Sequence, residues 1–286
     1  MTLKIFSVIF TLFVSCVFVT SPSFAAPLSP EKDSNAYKIL EDAGYGIETP
    51  DLAHNPTTAH ITTVYDEELK RYVFAFAIHS LIDDDRGIAS ITDRQRVEIK
   101  TYQKSPSSMI AKEGDTLIVR YKMRLPAGFK TTNKFCHLHQ LKGMDNADHT
   151  ADVKHPLITL TACSAKDGEQ KLELRYFDRK TRKMSVMTAA NLEEILDEWV
   201  EVREEVSFGK NSAKDNNGKY SIRVVRLKDN REILAFASDA LDLWQTNSSG
   251  LRPKIGIYRS VGEKRSLEKY LRDEEVRFTD IEVRKM

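Results

Sequence analysis

From His60 onward, apolar and polar positions alternate in short runs rich in Val, Ile, Tyr, Phe and Thr, separated by clusters of Gly, Asp, Asn and Pro. A period of two is that of a strand with one buried face. The pattern predicts strands over His60 to Asp66, Arg71 to His79, Arg94 to Tyr102, Asp115 to Arg124, Asn133 to Lys142 and Leu157 to Ala162. Further strands are expected over Lys171 to Phe177, Trp199 to Ser207, Tyr220 to Leu227, Glu232 to Ala237, Lys254 to Arg259 and Glu275 to Arg284. Helical pattern is confined to Ser34 to Ala43 and to single turns at Leu192 to Asp197 and Ala240 to Trp244. Many strands without long intervening helices make an all-β domain, either a sandwich or a jelly roll.

Three of these strands break the usual division into an apolar and a bland polar face. In the first, Arg94, Arg96, Glu98 and Lys100 share a face, with Val97 and Ile99 behind them. Alternation puts His137 and His139 together in the second, with Cys136, Leu138 and Gln140 opposite. The third carries Lys254, Gly256 and Tyr258 on one side and Ile255 and Ile257 on the other. Gly256 would leave room for a ligand against the backbone. Each row read alone fits a solvated face or a satisfied core histidine. Together they describe a surface for an anionic, hydroxyl-rich polymer, in which cations meet carboxylates while Glu and imidazole bond hydroxyls.

Residues 1–26 read as a cleaved signal peptide: Lys4, an apolar run from Ile5 to Thr20, then Ser-Pro-Ser-Phe-Ala-Ala, which offers small residues where a signal peptidase reads. The run is short for a membrane span, and Cys16 lacks the context of a lipoprotein cysteine. Residues 27–58 form a polar, Pro-containing lead-in expected to pack on the domain without carrying chemistry, and 59–286 form one domain. A secreted or periplasmic monomer, free of the membrane after leader cleavage, is expected.

The 286 residues carry 43 Lys and Arg against 42 Asp and Glu, a net charge of +1. That balance argues against a general nucleic-acid binder. Past the leader only Cys136 and Cys163 remain, and a cross-strand disulfide and two buried thiols are both open. No Gly-rich nucleotide loop, Gly-x-Ser-x-Gly elbow or His-Glu-x-x-His zinc helix occurs, and no third ligand joins His137 and His139, so no catalytic metal is assigned.

Arg96-x-Glu98-x-Lys100 resembles the R-x-E-x-R strand of the family 7 alginate-lyase-like polysaccharide lyases. His137-Leu138-His139 sits where that family has Q-I-H or Q-V-H, and Lys254-x-Gly256-x-Tyr258 resembles its terminal K-x-G-x-Y. The strings D-R-Q-R-V-E-I-K-T-Y, H-L-H-Q-L-K, R-P-K-I-G-I-Y-R-S and L-R-D-E-E-V-R-F resemble still more closely the secreted relatives of the family 20 glucuronan lyases and the heparin-lyase-like superfamily. The resemblance spans His60 to the C-terminus.

It implies a concanavalin-like β-jelly roll, two curved antiparallel sheets with a concave groove, that cuts a glucuronan-like or alginate-like polymer by β-elimination without an organic cofactor. Such chemistry neutralises the C5 carboxylate, removes the C5 proton and protonates the leaving O4. By the resemblance Arg96 neutralises, with His137 in the place of the family's glutamine, His139 is the base and Tyr258 the proton donor. Arg94, Glu98, Lys100 and Lys254 would hold neighbouring sugars. Gln140 could supply the amide only if a bulge turned it to the groove. His79 could join the cleft or be structural, and Asp83-Asp84-Asp85 could hold a structural calcium ion or be solvated. Trp199 and Trp244 read as core, and Arg272 to Glu275 as an exposed turn. The alternatives are a non-catalytic carbohydrate-binding jelly roll and, behind it, a glycoside hydrolase, which needs two facing carboxylates.

Overall fold

The computed structural model describes residues 26–51, 59–88, 90–165, 168–210 and 217–286. The expected leader, except its last residue, and positions 52–58 of the lead-in lie outside the described residues.

Fourteen strands among the described residues form two antiparallel sheets of seven. One, the front sheet, is ordered β1 (Gly46–Glu48), β4 (Arg94–Lys100), β13 (Gly250–Ser260), β6 (Cys136–Met144), β7 (Ile158–Ser164), β8 (Gln170–Asp178) and β9 (Lys183–Asn191). The back sheet is ordered β12 (Arg231–Leu241), β11 (Gly218–Arg226), β10 (Trp199–Ser207), β5 (Thr116–Arg124), β14 (Glu274–Lys285), β3 (Arg71–Ile78) and β2 (Ile61–Asp66). This is the all-β jelly roll expected from the alternation of the chain.

The core lies between the sheets. Val97, Ile99, Ile255, Ile257 and Leu160 of the front sheet meet Phe74, Phe76, Val119, Tyr121, Val202 and Phe278 of the back sheet, all buried. Full burial of one Val, Leu, Ile or Phe contributes roughly 1.5–3 kcal/mol, so these facing rows hold the layers together. Trp199 is core, its indole N–H donating to Asp66 at 3.1 Å. Trp244 packs partly buried against the same cluster.

Two strands escaped the pattern. β1 has three residues, too few to show a period, and β9 is a largely exposed edge strand that meets the core through partly buried residues such as Met187 and Ala190. The helix is present at α1 (Ala36–Asp42), where the Asn35 side chain accepts the Lys38 N–H and caps it, as N-terminal Asn commonly does. A single 3-10 turn covers Leu192–Ile195. At Ala240 to Trp244 the expected turn is absent: β12 continues to Leu241, which pairs with Gly218, and this pairing overrides the helical spacing of the apolar residues. Of the expected exposed turn before the last strand, Arg272 and Asp273 are exposed, but Glu274 is buried at the start of β14 and accepts the Lys130 backbone N–H at 2.8 Å.

Cys136 and Cys163 are free and buried. Cys136 stands opposite Ala162 in the β6–β7 ladder. Cys163 is one residue farther on, so its side chain points to the other face of the sheet and the two sulfurs cannot meet.

Candidate active site

Register builds the site. β13 lies between β4 and β6, and Tyr258 stands opposite Arg96 on one side and His137 on the other. The Arg96 guanidinium lies 3.6 Å over the Tyr258 ring centroid, and the His137 ring is 5.8 Å from that of Tyr258. A second row joins Lys100, Lys254 and Gln140. Residues from stretches far apart in the chain therefore share one sheet face.

His139 does not belong to it. The β6–β7 ladder shifts register between His137 and His139, and an extra residue in a strand reverses the faces beyond it. His139 turns into the interlayer core, fully buried, with Nε2 3.0 Å from Glu204 Oε2 of β10 and its ring beside Tyr121. The expectation that His137 and His139 share a face is thereby corrected. Gln140 takes the outward position and donates through Nε2 to Glu98.

Gly256 also plays a different part from the one expected. Its φ is +151°, and a Cβ there would lie 2.2 Å from the Val97 carbonyl oxygen and 2.7 Å from Glu98 Cα. The glycine lets β4 approach β13; no room is left there for a ligand.

The cations of the three strands are mostly compensated from within. Glu48, on β1, pairs with Lys254, with Lys100 at 2.7 Å, with Arg86 at 3.1 Å and with Arg96 at 3.4 Å. Burial would raise the Glu48 carboxyl, but Lys254, Arg96 and Lys100 outweigh it and hold it well below the usual carboxylate range. Asp85 grips Arg96 through both oxygens, at 2.7 and 3.2 Å, and Glu98 takes its Nη1. Burial opposes the charge on Arg96, yet Glu98, Asp85 and Glu48 push its pKa up. The lead-in thus supplies a central counter-ion, against the expectation that it carries no chemistry. Lys100, Lys254, Glu98 and Arg96 reach the site engaged with one another or with Glu48, not as free arms for sugars.

What faces open space is a cleft of about 520 Å³, bordered by six cations, Arg86, Arg94, Arg96, Lys142, Lys154 and Arg175, and by one carboxylate, Asp85. His137, Gln140 and Tyr258 line it as well. The His137 ring stacks on Phe135, centroids 4.8 Å apart, with Nδ1 2.8 Å from Thr161 Oγ1. Burial, then Arg175, Arg96, Lys142 and Lys254, lower its pKa to about 3, so it is a neutral imidazole at working pH. In the tautomer with Nδ1 donating to Thr161 Oγ1, the lone pair of Nε2 is left to accept a proton. The Tyr258 hydroxyl accepts from Arg94 at 2.7 Å. Burial raises the phenol's pKa against the lowering pull of Arg96 and Arg94, which keeps it protonated. Lys142 is lowered to about 8 by burial and by Lys254, Arg96 and Arg252.

Sequence reasoning missed Glu48, Asp85 as the Arg96 partner, Arg86, Lys142, Lys154 and Arg175. Arg175 was signalled by the outward alternation of Lys171, Glu173 and Arg175, and Lys142 would follow from Gln140 once the bulge is known. Glu48 had no signal. The three aspartates diverge: Asp83 meets His60, Asp84 accepts the Gly87 N–H at 2.6 Å and Asp85 holds Arg96. His79 lies at the end of β3 beside Asp83, outside the cleft lining.

No protein-family model and no curated protein matches this sequence. Solved structures match its fold. A marine family 14 alginate lyase from Aplysia kurodai superposes with TM-score 0.59 at 14% identity, over 90% of this chain and 97% of that one. The fold is the jelly roll of the alginate lyases. The family 7 alginate lyase A1-II′ gives 0.52 at 10% identity over 90% of this chain and 96% of its own. An alginate lyase from Klebsiella pneumoniae gives 0.50 at 10% over 84% and 95%.

Proposed function

We propose that the protein is a secreted or periplasmic polysaccharide lyase that cleaves a uronic-acid polymer by β-elimination, with an anionic polysaccharide as its partner. The observation that carries this reading is a neutral imidazole beside a protonated phenol at the floor of a cationic cleft. The fold supports it, and A1-II′ is described in complex with its substrate.

In this reading Arg175, Lys142 and the free N–H of the Gln140 amide meet the C5 carboxylate and stabilise the enolate-like charge that develops there. Since His139 is in the core, the base is His137, whose Nε2 takes the C5 proton. Tyr258 returns a proton to the O4 leaving group, and the Arg94 hydrogen bond stabilises the phenolate left behind. Arg96, clamped by Asp85 and Glu98, orients and charges the underside of the phenol ring. Rim cations such as Lys154 and Arg86 hold neighbouring sugar units.

The test is incubation with glucuronan, alginate and heparin-type polymers, following the ultraviolet absorbance of the unsaturated product. Absence of product from all three overturns the reading. The engagement of Arg96, Lys100 and Lys254 with internal carboxylates favours the second reading, a carbohydrate-binding jelly roll without catalysis. That protein would bind polymer without product and would be indifferent to Tyr258→Phe. A glycoside hydrolase is disfavoured because Asp85, bound to Arg96, is the one carboxylate bordering the cleft among the described residues.

A further inference from the structure

Behind the loop that carries Asp85 and Arg86, two imidazoles and a carboxylate converge. His60 precedes β2, His79 follows β3 and Asp83 lies in the loop between β3 and β4. His60 Nε2 is 3.0 Å from Asp83 Oδ1, and His79 Nδ1 is 3.3 Å from Asp83 Oδ2. One ligand atom from each residue lies within 4.8 Å of the others.

We propose that His60, His79 and Asp83 bind a divalent first-row transition metal ion of the zinc type, which pins this loop. Ligands about 2.0–2.1 Å from a tetrahedral metal stand roughly 3.3–3.4 Å from each other; here each imidazole reaches a different Asp83 oxygen and the three ligand atoms lie within 4.8 Å, so side-chain rotation would complete the site. Two further observations point the same way. The outer nitrogen of His60, Nδ1, is bonded to the Asp51 carboxylate, which also accepts the Tyr37 hydroxyl. A carboxylate on the far side of an imidazole is how proteins orient a metal-ligating histidine and raise its basicity. His79 Nδ1, in turn, is buried without a hydrogen-bond partner, 3.3 Å from Asp83 Oδ2.

The ligand set selects the ion. Imidazole nitrogens suit zinc, cobalt or nickel, whereas calcium requires a cage of oxygens. The Asp83 carboxylate is oriented by the His79 backbone N–H, 2.6 Å from Oδ2. His79 is about one-third exposed, with 30% of its side chain accessible, which provides an entry path and space for water as the remaining ligand. The rival arrangement is a metal-free imidazolium of His60 held between Asp51 and Asp83.

The consequence for the cleft follows from the loop's bonds. Gln95 Nε2 donates to the carbonyls of His79, Ser80 and Asp83 at 2.8, 2.8 and 3.0 Å, and the Arg96 N–H donates to the Asp84 carbonyl at 3.1 Å. Two residues past Asp83, Asp85 grips the Arg96 side chain. Metal at Asp83 would thus fix the carboxylate that holds Arg96 under Tyr258.

The experiment uses the chain without a polyhistidine tag, stripped with chelator and dialysed against Zn2+, Co2+ or Ca2+ alone. The expected result is about one Zn2+ or Co2+ per chain and no stoichiometric Ca2+, with a visible Co2+ absorption band and a higher Tm on metal addition. Asp51→Asn weakens the affinity by about 10–100-fold. His79→Ala, at a partly exposed strand end, keeps the chelator-treated protein's circular dichroism and loses the stoichiometric binding. Sub-stoichiometric binding in the parent chain, or equal binding in folded His79→Ala, overturns the proposal. Each readout is of binding, so the result stands apart from whether the cleft is a lyase.

Discussion

His139 Nε2 of the front sheet lies 3.0 Å from Glu204 Oε2 of the back sheet, both side chains fully shielded from solvent. A polar bond thus crosses the apolar interlayer, and its strength depends on both partners. Removing one partner of a buried pair leaves the other unsatisfied and costs about 3–5 kcal/mol. His139→Ala is therefore expected to lower unfolding free energy by about that amount in urea titrations, while kcat per folded molecule changes little. The double variant His139→Leu/Glu204→Leu should cost less than the two single changes added. Loss of kcat in folded His139→Ala would restore His139 to the chemistry.

Tyr258→Phe and His137→Ala remove the acid and the base of the proposed elimination. General acid–base groups contribute about 10²–10⁴-fold, and each variant is expected to lose product formation by that order while still binding polymer. Product release assays beside binding isotherms check it. Unchanged turnover in Tyr258→Phe would reject the phenol as proton donor.

Glu48→Gln keeps the shape of the side chain and removes the charge shared by Lys254, Lys100 and Arg96. Buried cations left without their counter-ion should destabilise the fold by about 3–5 kcal/mol, measured by denaturant unfolding. A loss of about 1 kcal/mol or less would mean that Glu98 and Asp85 carry the compensation alone.

Acid should weaken the protein in two windows. The folded-state pKa of His137 is about 3 against an ordinary 6.5, so the unfolded chain takes up a proton that the folded chain refuses. Its contribution to stability is whole above 6.5 and declines as pH falls toward 3, by about 1.4 kcal/mol per unit within that window. Glu48 is depressed from 4.5, so its contribution is present above 4.5 and is lost as pH falls further. Denaturation followed from pH 7 to 3 reads the first window, and His137→Gln should flatten it. For the same reason the acid limb of kcat/KM should not fall at the ordinary histidine value.

The cleft cations imply that polymer binding is sensitive to salt. Raising ionic strength from about 0.1 to about 1 M shortens the screening length from about 10 to about 3 Å. KM for a polyuronate should rise several-fold with salt, and Arg175→Ala should raise KM more than it lowers kcat. A KM indifferent to salt would count against a polyanionic substrate.

Alternation along the chain was enough for the all-β class, most of the strands and the outward faces of β4 and β13, because the two-residue period is a local property of extended backbone. It placed Arg96 and Tyr258 on the same kind of face without stating that they touch. The register, by contrast, comes from pairing between distant strands. The bulge in β6 arises from its pairing with β7 and β13, and it sends His139 inward and Gln140 outward. Glu48 reaches the site through a three-residue edge strand whose place is set by β4, not by any pattern of its own. Cys136 and Cys163 are kept apart by one step of the same ladder. Local period fixes which way a side chain points relative to its neighbour; which strand lies beside it, and with what offset, depends on contacts far away in the chain.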